Sequence, residues 1–135
     1  MSEFLVHFDL YKKFKNDAEN KSLFNGTRVE IYFLSAYHLI ESCAAKERIH
    51  INKHQNIRAV LEENEFLFGE NTVVVWRSFQ IIENQLRPKF TYSISGTKAD
   101  LNKIIENFKI IEKISMEKIG NVWKYSCRNK KRTGE

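Results

Sequence analysis

Residues 73–92 read VVVWRSFQIIENQLRPKFTY, and the fold class turns on this stretch. By propensity alone, Val73-Val74-Val75-Trp76 favours a strand, because β-branched and aromatic side chains fit a pleated, half-buried surface. The residues that follow decide for a helix. Val75, Phe79, Ile82 and Leu86 recur at steps of four and three, the period of one apolar helical face. A helix is therefore expected from about Asn71. It then meets Pro88, the one proline in the chain. Proline lacks a backbone N–H and disfavours the α conformation in the residue before it. Arg87 is accordingly expected at a helix end, or at a kink within a longer helix.

The same period recurs on both sides. Phe4, Phe8, Tyr11 and Phe14 form an aromatic stripe on a first helix of about residues 3–20. Asn25-Gly26 breaks the chain. Thr27 precedes Glu30 at capping-box spacing, and Val29, Phe33, Ala36, Ile40 and Cys43 continue a seam to about Arg48. Asn52 and Gln55 suggest a cap for a short third helix ending near Glu65, after which Gly69 punctuates. Beyond the proline, FTYSISG (90–96) is β-flavoured but too isolated to build a sheet. Thr97 and Asp100 start a last helix carrying Leu101, Ile104, Phe108 and Ile111 to about Ser115. NVWKYSC (121–127) reads equally as an extended tail or a last turn. The expected fold is all-α: an up-and-down antiparallel bundle of about five helices.

Composition bounds the function. A chain of 135 residues, 42% hydrophobic and 29% charged, supports one core and one domain. That domain is expected over residues 1–120, with a basic C-terminal tail over 121–135. From Lys124 onward there are five basic residues and one acid, so most of the net charge of +5 belongs to the tail. The body is nearly neutral, and the tail is either a frayed, solvated end or a salt-sensitive phosphate contact. No apolar run spans a bilayer, and the N-terminus lacks a basic signal-peptide region, so a cytoplasmic protein is expected. Two cysteines are too few for a disulfide framework. There is no phosphate loop, dinucleotide fingerprint, nucleophile elbow or paired-cysteine metal motif. No cofactor and no metal are expected.

What remains is polar groups on helices. His38 and Glu41 share a face, like half of a helical metal site, but no second such pair completes it; a surface or interhelical hydrogen bond is the plainer reading. His50, His54 and Arg58 gather near the start of the third helix, either as an anion site or as a solvated turn. Cys43 sits on the core seam and reads as a small hydrophobe. Glu83 and Arg87 are four apart in the order that favours a helical ion pair. With Lys89 and Tyr92, Arg87 makes the densest polar corner of the chain. Its fork suits phosphate or carboxylate, and Tyr92 suits a hydrogen bond or base stacking. Alternatively Arg87 pairs with Glu83, and Tyr92 packs as an interhelical anchor.

SAYHLIESCAAKERIHINKHQNIRAVL (35–61) followed by RSFQIIENQLRPKFTY (77–92) resembles the HEPN family of small helical bundles, over roughly residues 29–112. The resemblance implies a homodimer, a nucleotidyltransferase-fold partner protein, and in active members a metal-independent ribonuclease of the toxin type. The family signature is an arginine, four to six residues, and a histidine. Arg87 matches the arginine, which would hold the scissile phosphate. No histidine falls in the window, where Tyr92 stands instead. A phenol titrating near 10 does not replace imidazole as a base at neutral pH. The resemblance therefore implies a binding module for RNA, a nucleotide or a partner protein, with contacts at Glu83, Arg87, Lys89, Tyr92, His54 and Arg58. The alternatives are a ribonuclease that borrows His54 as its base, or an association-only subunit.

Overall fold

The computed structural model describes residues 2–132, and of their side chains those of residues 3–120. Its elements are α1 (Ser2–Ala18), α2 (Asn25–Lys46), α3 (Ile57–Glu63), α4 (Thr72–Gln80), a π-helical segment (Ile81–Leu86), α5 (Arg87–Thr91) and α6 (Lys98–Arg132). Because α4, the π segment and α5 run on without a break, the bundle has five helical bodies. Among the described residues there is no strand, and no helix is long and apolar enough to cross a membrane.

The four apolar seams build the core. Phe4, Phe8, Tyr11, Val29, Phe33, Ala36, Ile40, Cys43, Val75, Phe79, Ile82, Leu86, Leu101, Ile104, Phe108 and Ile111 are all buried. Phe14 is only half-buried, and its ring lies on His38. Tyr11 and Tyr32 close on Phe108, which ties α1 and α2 to α6. Helices α1 and α2 pair antiparallel: Arg28 Nε donates to Ala18 O at 2.8 Å near one end, and Ser35 Oγ to Tyr11 O at 2.8 Å further along. This register brings His7 opposite His38.

The helix starts divide into one capped as expected and two that are not. Thr97 N and Oγ1 both donate to Asp100 Oδ2 at 3.0 Å, and Asp100 N returns a bond to Thr97 Oγ1 at 3.1 Å. That is a complete capping box. At α2 the expected Thr27–Glu30 box does not form. The helix begins earlier, at Asn25, which places Thr27 inside the first turn. Glu30 spends its carboxylate on α5 instead. The expected cap at Asn52 gives way to a 3₁₀ turn over His54–Asn56 leading into α3. The last helix does not stop near Ser115; its backbone continues to Arg132. The side chains of the basic tail, 121–135, lie outside the described residues.

At the proline the helix continues instead of ending, so Arg87 lies within a longer helix. Arg87 N–H donates to Ile82 O, an i→i−5 bond, and Pro88 then occupies the first turn of α5. A π turn widens the helix by one residue. It lets the chain reach the first-turn position where proline's missing donor costs least. The helix ends at Thr91, and 92–97 is a loop.

Cys43 is fully buried, and burial pushes its thiol up to about 12. Thiolate is the reactive species, so in a Cys127→Ser background the native protein should resist a thiol-labelling disulfide reagent. Labelling should appear only on denaturation. Prompt stoichiometric labelling of the native fold would contradict the packing described.

Candidate functional site

The π turn dictates how the corner around Arg87 pairs. In an α-helix Glu83 and Arg87 would stack one above the other, but within a π turn the i,i+4 alignment is lost. The expected Glu83–Arg87 ion pair is therefore absent. Arg87 swings to α2, where Nε donates to Glu30 Oε1 at 2.8 Å. Thr91 Oγ1 donates to the same oxygen at 2.6 Å. The guanidinium lies 4.3 Å from the centre of the Phe33 ring, a cation–π contact. Glu83, left behind in the π segment, meets His54 Nδ1. His54 in turn sets its ring edge-on to Phe33, with centroids 5.1 Å apart. Phe33 is thus the shared floor under Arg87 and His54.

The other expected site residues disperse. Lys89 pairs with Asp100 at 3.3 Å, so the capping carboxylate also neutralises the lysine. Tyr92 is no interhelical anchor: it is 77% exposed. Arg58 turns to the Trp76 ring, 4.0 Å away, and to Glu62. His50 does not join His54 and Arg58; it faces Glu3 on α1 at 3.2 Å. The corner is a set of satisfied pairs rather than an open cradle of cations.

Beside it lies an apolar lip. Phe24, Phe90, Ile94 and the stem of Lys89 line a groove of about 270 Å³. Two glycines make room for its rings. A Cβ on Gly96 would come within 2.6 Å of Phe90, and one on Gly26 within 2.5 Å of Phe24. Phe24 is 75% exposed and Ile94 fully so, with Tyr92 close by in the chain.

A second cluster spans α1 and α2. His7 Nδ1 and His38 Nδ1 are 3.0 Å apart, and each stands 3.4 Å from Glu41 Oε1. His38 rests against the rings of Phe14 and Tyr37. Burial, followed by the nearby His7, lowers His38 to about 4, and burial likewise lowers His7. Burial raises the Glu41 carboxyl to about 7, with Glu3 adding to the effect and Tyr37 opposing it. His38 is therefore neutral at pH 7, and its contact with Glu41 is not an ion pair. Two of its three residues, His38 and Glu41, were legible as a pair on one helix. His7 lies on the edge of the Phe4–Phe14 stripe, and the signal that pairs it with His38 is the helix register, which needs the fold.

Compared with family models, with curated proteins and with solved structures, the chain finds no match in any of the three.

Proposed function

We propose that the chain is a non-catalytic, HEPN-like helical association module whose docking surface is the lip of Phe24, Phe90, Tyr92 and Ile94 beside the Arg87 corner. The occupant we assign to it is a second copy of the chain. What carries the reading is the combination of three large exposed side chains, Phe24, Tyr92 and Ile94, around the half-buried Phe90, with charges that are already paired: Arg87 to Glu30, Lys89 to Asp100, His54 to Glu83. A nucleic acid needs free cations to displace its counterions. A protein interface needs apolar area without uncompensated charge. A two-fold dimer also sets a patch against its own copy, and a patch whose charges are internally neutralised meets no like-charge repulsion there.

The test is the oligomeric state of the full chain by sedimentation equilibrium. The wild type should dimerise, and Ile94→Asp or Phe24→Asp should weaken the dimer by at least about tenfold, as expected for an apolar side chain worth roughly 1.5–3 kcal/mol on burial. Neither should lower the monomer's Tm by much, because both side chains are exposed. A wild type that stays monomeric at high concentration, or variants that dimerise as well as it does, would overturn the reading.

One observation favours a second reading, a metal-independent ribonuclease. Arg87 and His54 both contact Phe33, which sets a candidate phosphate clamp and a candidate base against one aromatic ring. Glu83 would orient the imidazole, and Arg87 would have to leave Glu30 for the phosphate. Short single-stranded RNA incubated with chelator across a salt series separates the two. Cleavage lost in His54→Gln supports the enzyme, and intact, unretained RNA supports the association module.

A further inference from the structure

We propose that His7, His38 and Glu41 bind one divalent first-row transition ion, with zinc the ion that the donor set suits best. Two imidazoles and one carboxylate are a recurrent ligand set for such ions, and the three donor atoms already converge. Their triangle has sides of 3.0, 3.4 and 3.4 Å. A tetrahedral ion bound at about 2.0–2.1 Å sets its donors roughly 3.3–3.4 Å apart. The triangle is therefore close to one face of the tetrahedron. An ion about 2.0–2.1 Å from all three stands roughly 0.7 Å out of their plane, as it does in a regular tetrahedral site.

The plainer account is a hydrogen-bonded cluster without metal. With ring centroids 5.2 Å apart and the nitrogens at 3.0 Å, the two Nδ1 atoms face each other almost head-on. One then carries a proton and donates it to the other. Ligation asks each ring to turn by roughly 40°, the angle between the nitrogen–nitrogen line and the direction of an ion about 2.0–2.1 Å from both nitrogens. The donor ring moves its proton from Nδ1 to Nε2, both rings turn off the line between them, and the nitrogens part by a few tenths of an ångström. No net proton is needed for the exchange of tautomers.

Three further features favour an ion. Two ligands come from α2 and one from α1, both rigid elements. The His38 ring rests against Phe14 and Tyr37, which keep its side chain at the α1–α2 seam beside His7. A cavity of about 230 Å³ adjoins the cluster and is lined by His7, Glu41, Glu3 and His50. It supplies an entry path with carboxylates at its wall, and room for water in the fourth position. The site thus has three protein ligands and one open place, the form that catalytic and ligand-binding centres take rather than closed structural ones. This inference does not depend on the dimer or on the Arg87 corner.

The full-length protein, stripped with a chelator, is titrated with Co²⁺ alone and then with Zn²⁺. The expected result is the intense visible absorption of tetrahedral Co²⁺, saturating at one equivalent and erased by Zn²⁺. Zn²⁺ at a hundredfold excess over its Kd should raise Tm by roughly 10 °C. His7→Gln and Glu41→Gln should each weaken binding at least about tenfold. His50→Gln, His54→Gln and Cys127→Ser should leave the spectrum as it is. Should His38→Gln fail to fold, the wild-type spectrum and His7→Gln decide the matter. A weak octahedral spectrum, or a tetrahedral one that survives His7→Gln, overturns the assignment.

Discussion

Phe33→Ala is expected to lower stability by about 3–5 kcal/mol, the range for deleting a buried phenyl ring. The ring is 2% exposed and stacks on Phe79 with centroids 5.4 Å apart. It also carries Arg87 on its face and meets the His54 ring at a near-right angle. Alanine removes the core volume and, with it, the surface under two polar groups whose partners lie on different elements. Against a total stability on the order of 5–15 kcal/mol, such a loss is about a fifth or more of the whole. Thermal unfolding followed by circular dichroism should show Tm falling by roughly 10–20 °C. Phe33→Leu retains much of the volume and should lose well under half as much. It cannot offer an aromatic face, however, so Arg87 should become less ordered in it. A loss below about 1 kcal/mol for the alanine variant would mean that α2 and α4 do not meet at this ring.

How far the molecule was legible depended on the range of the force concerned. Apolar periodicity is local and cumulative, so the seams Val29–Cys43, Val75–Leu86 and Leu101–Ile111 could be followed residue by residue, and the first stripe from Phe4 as far as Tyr11. The Thr97–Asp100 box was legible because nothing else competes for Thr97, and Lys89 only adds to Asp100. The Thr27–Glu30 pair has the same spacing and fails, because Arg87 and Thr91 claim the glutamate from sixty residues away along the chain. No local rule registers such a competitor. The π turn was hidden for a related reason. Pro88 announced a break, but whether a helix stops or slips by one residue is settled by what packs around it. Ile82 and Leu86 stay buried across the slip, and the core holds the helix together. Once the slip is granted, the failure of the Glu83–Arg87 pair and the dispersal of the expected site follow from geometry. His7 was missed because a histidine beside an aromatic stripe has no local signature of its own.

Arg87→Ala is the variant that separates a binding site from a structural seam. If Arg87 were a free ligand-binding group, truncating it would abolish binding and leave thermal stability almost unchanged. The geometry predicts the opposite balance. Its side chain is 19% exposed, its Nε is bonded to Glu30, and its guanidinium covers Phe33. A charge-assisted hydrogen bond contributes about 1.5–3 kcal/mol when well shielded, and less where a partner is as open as Glu30. Adding the cation–π contact, worth about 0.5–1 kcal/mol at a site of this exposure, gives an expected loss of about 2 kcal/mol. The pairwise share is best read from a double-mutant cycle with Glu30→Ala, where a coupling of about 1 kcal/mol is expected. Arg87→Lys should recover little, because an ammonium has no fork to reach Glu30 while it lies flat on the ring. Thr91→Ala should weaken the same carboxylate by a smaller amount, since it removes a neutral donor. A coupling indistinguishable from zero, with an unchanged Tm for Arg87→Ala, would return this arginine to the solvent and revive it as a phosphate clamp. A coupling of the expected size makes it the bolt that fixes α5 to α2.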